Sequence, residues 1–387
     1  MLKKLMLMSI SALMLSSFTT KEKIQEKTTN SNLYLLIGTY TSGTSKGIYV
    51  YRFNTETGEA NYVSEVDGLS NPSYLNLSRD EKFVYSVGEN EADGGLAYAL
   101  SFDKKNGKLA YLNAQQTHGG SPCYINIDPK GQYVITANYT GGNISVFKRM
   151  KDGTLLPASQ VITFDKKDSK EPQPVSHLHC VAFSPDGKYL FADDLGKDKV
   201  HKFNLNYPTQ RTTSDSFLQA GEPSAFNIEK GSGPRHLTFH PNGKYAYLIN
   251  ELSGKVTVFQ YKNGLLKDIQ YIASDTTQGA VKKGSADIHL TPDGKFLYAS
   301  NRLKADGIAI FKVNQLNGKL TKVGYQLTGI HPRNFIITPN GKLLLVAARD
   351  SNSIQIFKIN SKNGLLEDTG KTIGIDKPVC LKFASMK

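Results

Sequence analysis

One pattern recurs along this chain and limits what it can fold into: an apolar strand, a turn of the type Pro-Asp-Gly-Lys, and a second apolar strand. The copies read NLSRDEKFVYSV (76–87), NIDPKGQYVITA (126–137), AFSPDGKYLFAD (182–193), TFHPNGKYAYLI (238–249), HLTPDGKFLYAS (289–300) and IITPNGKLLLVA (336–347). Apolar and polar residues alternate on both sides of the turn, which is the period of a half-buried strand. Asp-Gly or Asn-Gly between them marks a hairpin, because glycine accepts positive φ and Asx side chains bond the turn backbone. The segments leading into the turns start at Asn71-Pro72, Ser121-Pro122, His177-Leu178, Gly233-Pro234, Gly284-Ser285, His331-Pro332 and Lys377-Pro378, seven starts spaced 46 to 56 residues apart.

A second hairpin follows in most units. Strands such as GIYVYRF (47–53), GNISVFKR (142–149) and SIQIFKI (353–359) run into turns such as Thr57-Gly58, Asp152-Gly153 and Asn363-Gly364. Each unit is therefore four antiparallel strands, the composition of a propeller blade. The seventh start, VCLKF (379–383), lacks its hairpin partner, and the first strand, LYLLIGTYT (33–41), lacks a leading one. Pairing the two chain ends in one blade closes the ring and removes exposed edges. The expected fold is an all-β, seven-bladed β-propeller of four-stranded antiparallel blades over residues 33–387. A chain of 387 residues exceeds the usual single core, and a repeat architecture accommodates that length. Tryptophan is absent, so the Trp-Asp propeller signature is missing, and no helical periodicity supports an α/β fold.

Lys3 and Lys4, an apolar run from Leu5 to Leu15 and small or polar residues after it form a signal-peptide pattern over residues 1–20. A polar, disordered lead-in is expected over 21–32. The run is too short to span a bilayer, and no cysteine near Phe18 provides a lipid anchor, so a periplasmic or secreted protein is expected. The formal charge is +13, and the lysines are scattered through turns without a basic helix or dense block. That disfavours nucleic acid as a partner. Cys123, Cys180 and Cys380 lie in apolar strands and are expected as buried free thiols. No metal or other cofactor is expected, and the protein is expected to act as a monomer.

In a blade whose two inner strands share the Pro-Asp-Gly-Lys turn, the start of the first and the end of the second lie together at the opposite mouth of the channel. Polar residues interrupt the apolar strands at those positions. Entering are His177, His179, Arg235, His236, Asp287 and Arg333, and leaving are Glu89, Asn138, Asp194, Glu251, Arg302 and Arg349. Counting outward from each turn sets His179 opposite Asp194, Arg235 near Glu251, Asp287 near Arg302 and Arg333 near Arg349. Four arginines with carboxylates and histidines on one concave face suit an anion-binding acid/base site. Arg333 beside Arg349 in particular costs energy unless an anion, or a water-filled mouth, offsets the two charges.

The runs GSGPRHLTFHPNGKYAYLINEL (231–252), ADIHLTPDGKFLYASNR (286–302), HPRNF (331–335), IGTYTSGTSKGIYVYRFNTETGEA (37–60) and ANYTGGNISVF (137–147) resemble the lactonase family of seven-bladed propellers. That family includes 6-phosphogluconolactonase and, as a relative, the fungal carboxy-cis,cis-muconate cyclase. The resemblance covers about residues 33–387. It implies a metal-free hydrolase of a sugar-acid lactone, with a small anionic lactone as partner and a cleft built from His179, Arg235, His236, Glu251, Asp287, Arg302 and Arg333.

The expected catalytic set is His179, Arg235, Glu251 and Arg302, and the expected substrate-binding set is His177, Asp194, His236, Asp287, Arg333 and Asn138. His179, held by Asp194, is the first choice of base and Glu251 the second, since histidine titrates near neutral pH. The arginines suit the oxyanion and a substrate carboxylate or phosphate. No serine nucleophile elbow and no zinc-type His-Glu-x-x-His is read. The rivals are a non-catalytic secreted propeller that binds an anionic carbohydrate or peptide, and a lactonising cyclase. A polar insert, DKKDSKEPQPVS (165–176), precedes His177 at the mouth.

Overall fold

The computed structural model describes residues 31–91, 94–164, 175–207, 216–278 and 283–386. The segment read as a signal peptide, nearly all of the lead-in, and residues 165–174 of the insert lie outside them. The described chain forms seven four-stranded antiparallel sheets and one short 3-10 turn at Arg349–Ser351. No helix among the described residues is long and apolar enough to cross a membrane.

The seven-bladed propeller expected from the repeats is the fold observed. Blade 1 is the closing blade: Pro378–Ala384 is its inner strand and pairs with Asn32–Thr39, followed outward by Gly47–Asn54 and Ala60–Asp67. The register runs Tyr34↔Ala384 to Ile37↔Leu381, so the two chain ends share one sheet. The inner strands of blades 2 to 7 are Leu75–Leu77, Pro122–Ile127, Leu178–Phe183, Pro234–Phe239, Ser285–Leu290 and Pro332–Ile337. Each inner strand packs against those of the two neighbouring blades, which closes the ring around a central channel. The core lies between blades, where Val, Ile, Leu and aromatic side chains from facing sheets are fully buried.

Tyrosine hydroxyls fasten neighbouring blades. Buried Tyr85, Tyr247 and Tyr298 each donate a hydroxyl hydrogen bond to the carbonyl of an outer-hairpin glycine in the next blade, Gly153, Gly318 and Gly364, at 2.8–2.9 Å. Those hairpins need glycine twice over. At Gly364, φ is +77° and a Cβ would lie 2.4 Å from the Phe296 ring.

The strand count per blade follows from local turn chemistry, but the inner strands hold one irregularity that counting does not give. In blades 3, 4, 5 and 7 the register slips at the second residue, between Pro122 and Tyr124, Leu178 and Cys180, Pro234 and His236, and Pro332 and Asn334. Blade 6 slips between Ser285 and Ile288. A bulge leaves one residue without a ladder partner and re-aims its side chain. Here the released residues are Cys123, His179, Arg235 and Arg333, and all four line the channel with Ser73 of blade 2 and Val379 of blade 1.

Three of the four expected pairings do not form. Asp194 pairs with Leu178, not His179. Asp287 turns to His236, His289 and Asn334 and not to Arg302. Arg349 folds onto Asp350 at 2.6 Å, away from Arg333.

Candidate active site at the channel mouth

The mouth away from the Pro-Asp-Gly-Lys turns is built by residues that leave the second strand of each blade and by the bulged residues beside them. Glu251 follows the strand Tyr245–Asn250, and its N–H donates to the Gly233 carbonyl at 2.7 Å. Two guanidinium groups hold its carboxylate. Arg235 Nε donates to Oε2 at 2.8 Å, and Arg302 Nη2 lies 3.0 Å from Oε1. Burial pushes the Glu251 carboxyl up, but Arg302, Arg235 and Arg333 pull it below its ordinary value. It is therefore a fixed anion.

Arg235 is 1% exposed, and its fork is oriented by more than Glu251. Nη1 donates to the Ala286 carbonyl at 2.5 Å and faces His236 Nε2 at 3.2 Å. A guanidinium can only donate, so Nε2 accepts and the His236 proton sits on Nδ1. Nδ1–H then donates to Asp287 Oδ1 at 2.8 Å. Burial, and after it Arg235, lower the His236 pKa to about 4, so the imidazole is neutral and serves to position Arg235. Burial alone would raise the Asp287 carboxyl, but His289 and His236 hold it well below the usual range. Below this layer Tyr74 and Tyr124 stack at 4.1 Å with His236 against the Tyr124 ring, and together they narrow the channel. The cavity above them measures about 10 Å³, room for roughly one water.

Arg302 is 6% exposed and donates from Nε to the Gly284 carbonyl at 2.8 Å. Its Nη1 lies 3.3 Å from His331 Nε2. Burial lowers the Arg302 pKa to about 10, with Glu251 opposing, and burial with Arg302 lowers His331 to about 3. Arg333 differs from the other two. It makes no hydrogen bond to a protein acceptor among the described residues; Glu89 Oε1 lies 3.8 Å away and the Tyr40 ring centroid 5.7 Å away.

His179 is 4% exposed, and its Nδ1 has no partner. Burial, then the charges of Arg235, His236 and Arg333, hold its pKa well below the ordinary histidine value. His177 stands at the rim, its ring stacked 4.5 Å from Tyr139 and its Nδ1 3.0 Å from the Tyr139 carbonyl.

Two of the expected substrate-binding residues serve the blades. Asp194 accepts from the His177 N–H at 2.9 Å and lies 3.3 Å from His201 Nε2. Asn138 donates to Asn143 and Ser145 inside blade 3. Both stand one residue before the mouth position, which Tyr139 and Leu195 occupy, as their N–H bonds to Ser121 and His177 show. Residues the sequence left without a role also face the mouth: Tyr40, Ser73, Cys123, Tyr139, His331 and Glu89. A Gly-Thr-Ser-Lys-Gly run at 43–47 does have nucleophile-elbow spacing, contrary to the sequence reading. It joins two antiparallel strands with no following helix, and the Ser45 hydroxyl bonds Thr39 at 2.5 Å, so it is no elbow.

Residues 34–383 match the family profile described as "Lactonase, 7-bladed beta-propeller". The chain belongs to the lactonase family. Among its relatives is a 6-phosphogluconolactonase of Formosa agariphila, 42% identical over 341 residues, which are 86% of this chain and 94% of that protein. Another is the 6-phosphogluconolactonase of Bacillus subtilis, 35% identical over 90% of this chain and 97% of its own. Two solved structures superpose over 92% of the chain. A protein from Bacteroides fragilis is 58% identical with a TM-score of 0.87 and is covered over 99% of its length. The periplasmic gluconolactonase of Pseudomonas aeruginosa is 35% identical with a TM-score of 0.86 and is covered in full, 100%. The chain is thus a lactonase-family enzyme with its arginine–glutamate cluster at one mouth of the ring.

Proposed function

We propose that this lactonase hydrolyses a sugar-acid δ-lactone of the gluconolactone type, phosphorylated or not, at the mouth that holds Arg235, Arg302 and Glu251. One observation carries the reading: three guanidinium groups converge there, and Arg333 hydrogen-bonds no protein acceptor among the described residues, with the Glu89 carboxylate 3.8 Å away. The surplus of donors suits an anionic group on the substrate and the oxyanion that forms when water adds to the lactone carbonyl. Arg235 uses Nε and Nη1 internally, which leaves Nη2 as its donor toward that oxyanion. Glu251 and Arg302 fix the fork, as Asp287 does through His236. His179 contributes a neutral imidazole to the wall of the channel beside Arg235 and Arg333. Neither His179 nor Glu251 is a strong base in this setting, because burial and then the arginines lower His179, and the arginines lower Glu251.

Export to the periplasm fits the N-terminal pattern and the periplasmic relative. The test is proton release from glucono-δ-lactone and its 6-phosphate by the purified mature chain. At least one of the two is opened faster than in buffer alone. Equal rates with and without protein for both lactones would sink the reading.

A further inference from the structure

We infer that Glu89 is a second carboxylate of this site and that it shuttles the proton between the attacking water and the ring oxygen. The inference rests on the lactone-hydrolysis reading and supplies the base that reading lacks.

Glu89 occupies in blade 2 the place that Glu251 occupies in blade 5. Each is the first residue after a second strand, and each donates its N–H to the carbonyl of the residue before the proline that leads into or opens the inner strand, Asn71 at 3.0 Å and Gly233 at 2.7 Å. Blades 2 and 5 are three apart in a ring of seven, so the two carboxylates face each other across the channel. Arg333 and the Cys123 thiol both lie within electrostatic reach of Glu89 and Glu251.

Their partners differ in kind. Glu251 is gripped by guanidinium groups, which can only donate and so fit only an ionised carboxylate. Glu89 is hydrogen-bonded by hydroxyls, with the Arg333 guanidinium farther off at 3.8 Å from Oε1. Tyr40 Oη donates to both carboxylate oxygens at 3.0 Å, and Ser73 Oγ donates to Oε2. A hydroxyl can also turn and accept, so this cradle fits the carboxyl before and after it takes a proton. Burial raises the Tyr40 phenol, so Tyr40 stays a neutral donor. Both Glu89 and Arg333 keep access to the mouth, with side chains 17% and 14% exposed.

The balance of the step is simple. Water oxygen bonds to the lactone carbonyl carbon, and its proton passes to the Glu89 carboxylate. The bond from that carbon to the ring oxygen then breaks, its electron pair stays on the ring oxygen, and Glu89 returns the proton there to give the alcohol. The new carboxylic acid releases its own proton to solvent. Tyr40 and Ser73 are positioning residues for Glu89.

The test compares wild type, Glu89→Gln, Glu89→Asp and Tyr40→Phe on whichever gluconolactone the wild type opens. Glu89→Gln lowers kcat on the order of 100-fold and leaves KM within about threefold, the size of a lost general-base contribution. Glu89→Asp retains more of kcat than Glu89→Gln. Tyr40→Phe lowers kcat by less, with KM unchanged and thermal unfolding unchanged. Should Glu89→Gln keep kcat, or change KM alone, the shuttle role is wrong although the protein is still a lactonase. A wild type that opens no lactone overturns the activity itself. If Glu89→Gln fails to fold, Glu89→Asp decides: wild-type kcat with a raised KM would then contradict the proposal.

Discussion

Replacing Arg235 by lysine lowers kcat/KM for a gluconolactone by roughly 100-fold or more and leaves the propeller folded. The charge survives in that variant but the fork does not. Arg235 reaches Glu251 with Nε and the Ala286 carbonyl with Nη1 while His236 braces the same nitrogen, a planar arrangement that a single ammonium cannot reproduce. Loss of one fixed donor to an oxyanion costs about 3 kcal/mol of barrier. Steady-state kinetics with circular dichroism on the same samples checks both halves. Activity within about threefold of wild type would remove Arg235 from the chemistry.

The second large effect is on stability. Asp193→Ala stabilises the protein by about 2 kcal/mol at neutral pH, since a buried polar group without an adequate partner costs about 1–3 kcal/mol. Asp193 is 0% exposed, and its carboxyl meets no polar partner except the Cys180 thiol, a weak donor. Its register partner is Cys180, and the same register in blades 3, 5 and 7 holds Ala137, Ile249 and Ala347 opposite Tyr124, His236 and Asn334. The position is built for an apolar side chain. Burial raises the Asp193 carboxyl well above its ordinary value, so the folded chain keeps a proton that the unfolded chain loses near pH 4. The folded state therefore binds more protons above that pH, and its stability falls as pH rises. The gain from Asp193→Ala should be small at pH 4 and grow toward pH 7. Thermal unfolding of both proteins across that range measures it, and a gain that shrank with rising pH would contradict the assignment.

How much of this was legible in the sequence depended on how local its cause is. The hairpins were legible because Asp-Gly and Asn-Gly set their turns within four residues. Closure was legible because residues 379–383 and 33–41 each lacked a partner. The choice of mouth followed from strand polarity. The three cysteines are free and buried as expected. The bulge was not legible, since it is set by packing against neighbouring inner strands. Missing it misplaced His179 against Asp194 and Asp287 against Arg302. A hint was present: Asn71, Ser121, Gly233, His331 and Lys377, each before a proline, all take positive φ, so these strands begin irregularly. Glu89 was named as leaving a strand but given no role, because its partner Tyr40 comes from the neighbouring blade, 49 residues away, where no local pattern shows the contact.

The central claim is that lactone opening takes place at the mouth remote from the Pro-Asp-Gly-Lys turns. A crystal structure with the hydroxy-acid product bound tests it most directly. The account predicts the product between Glu251 and Glu89, with an anionic oxygen within hydrogen-bond distance of Arg235, Arg302 or Arg333. Product bound at the turn-side mouth, or on the outer face of a blade, would contradict it.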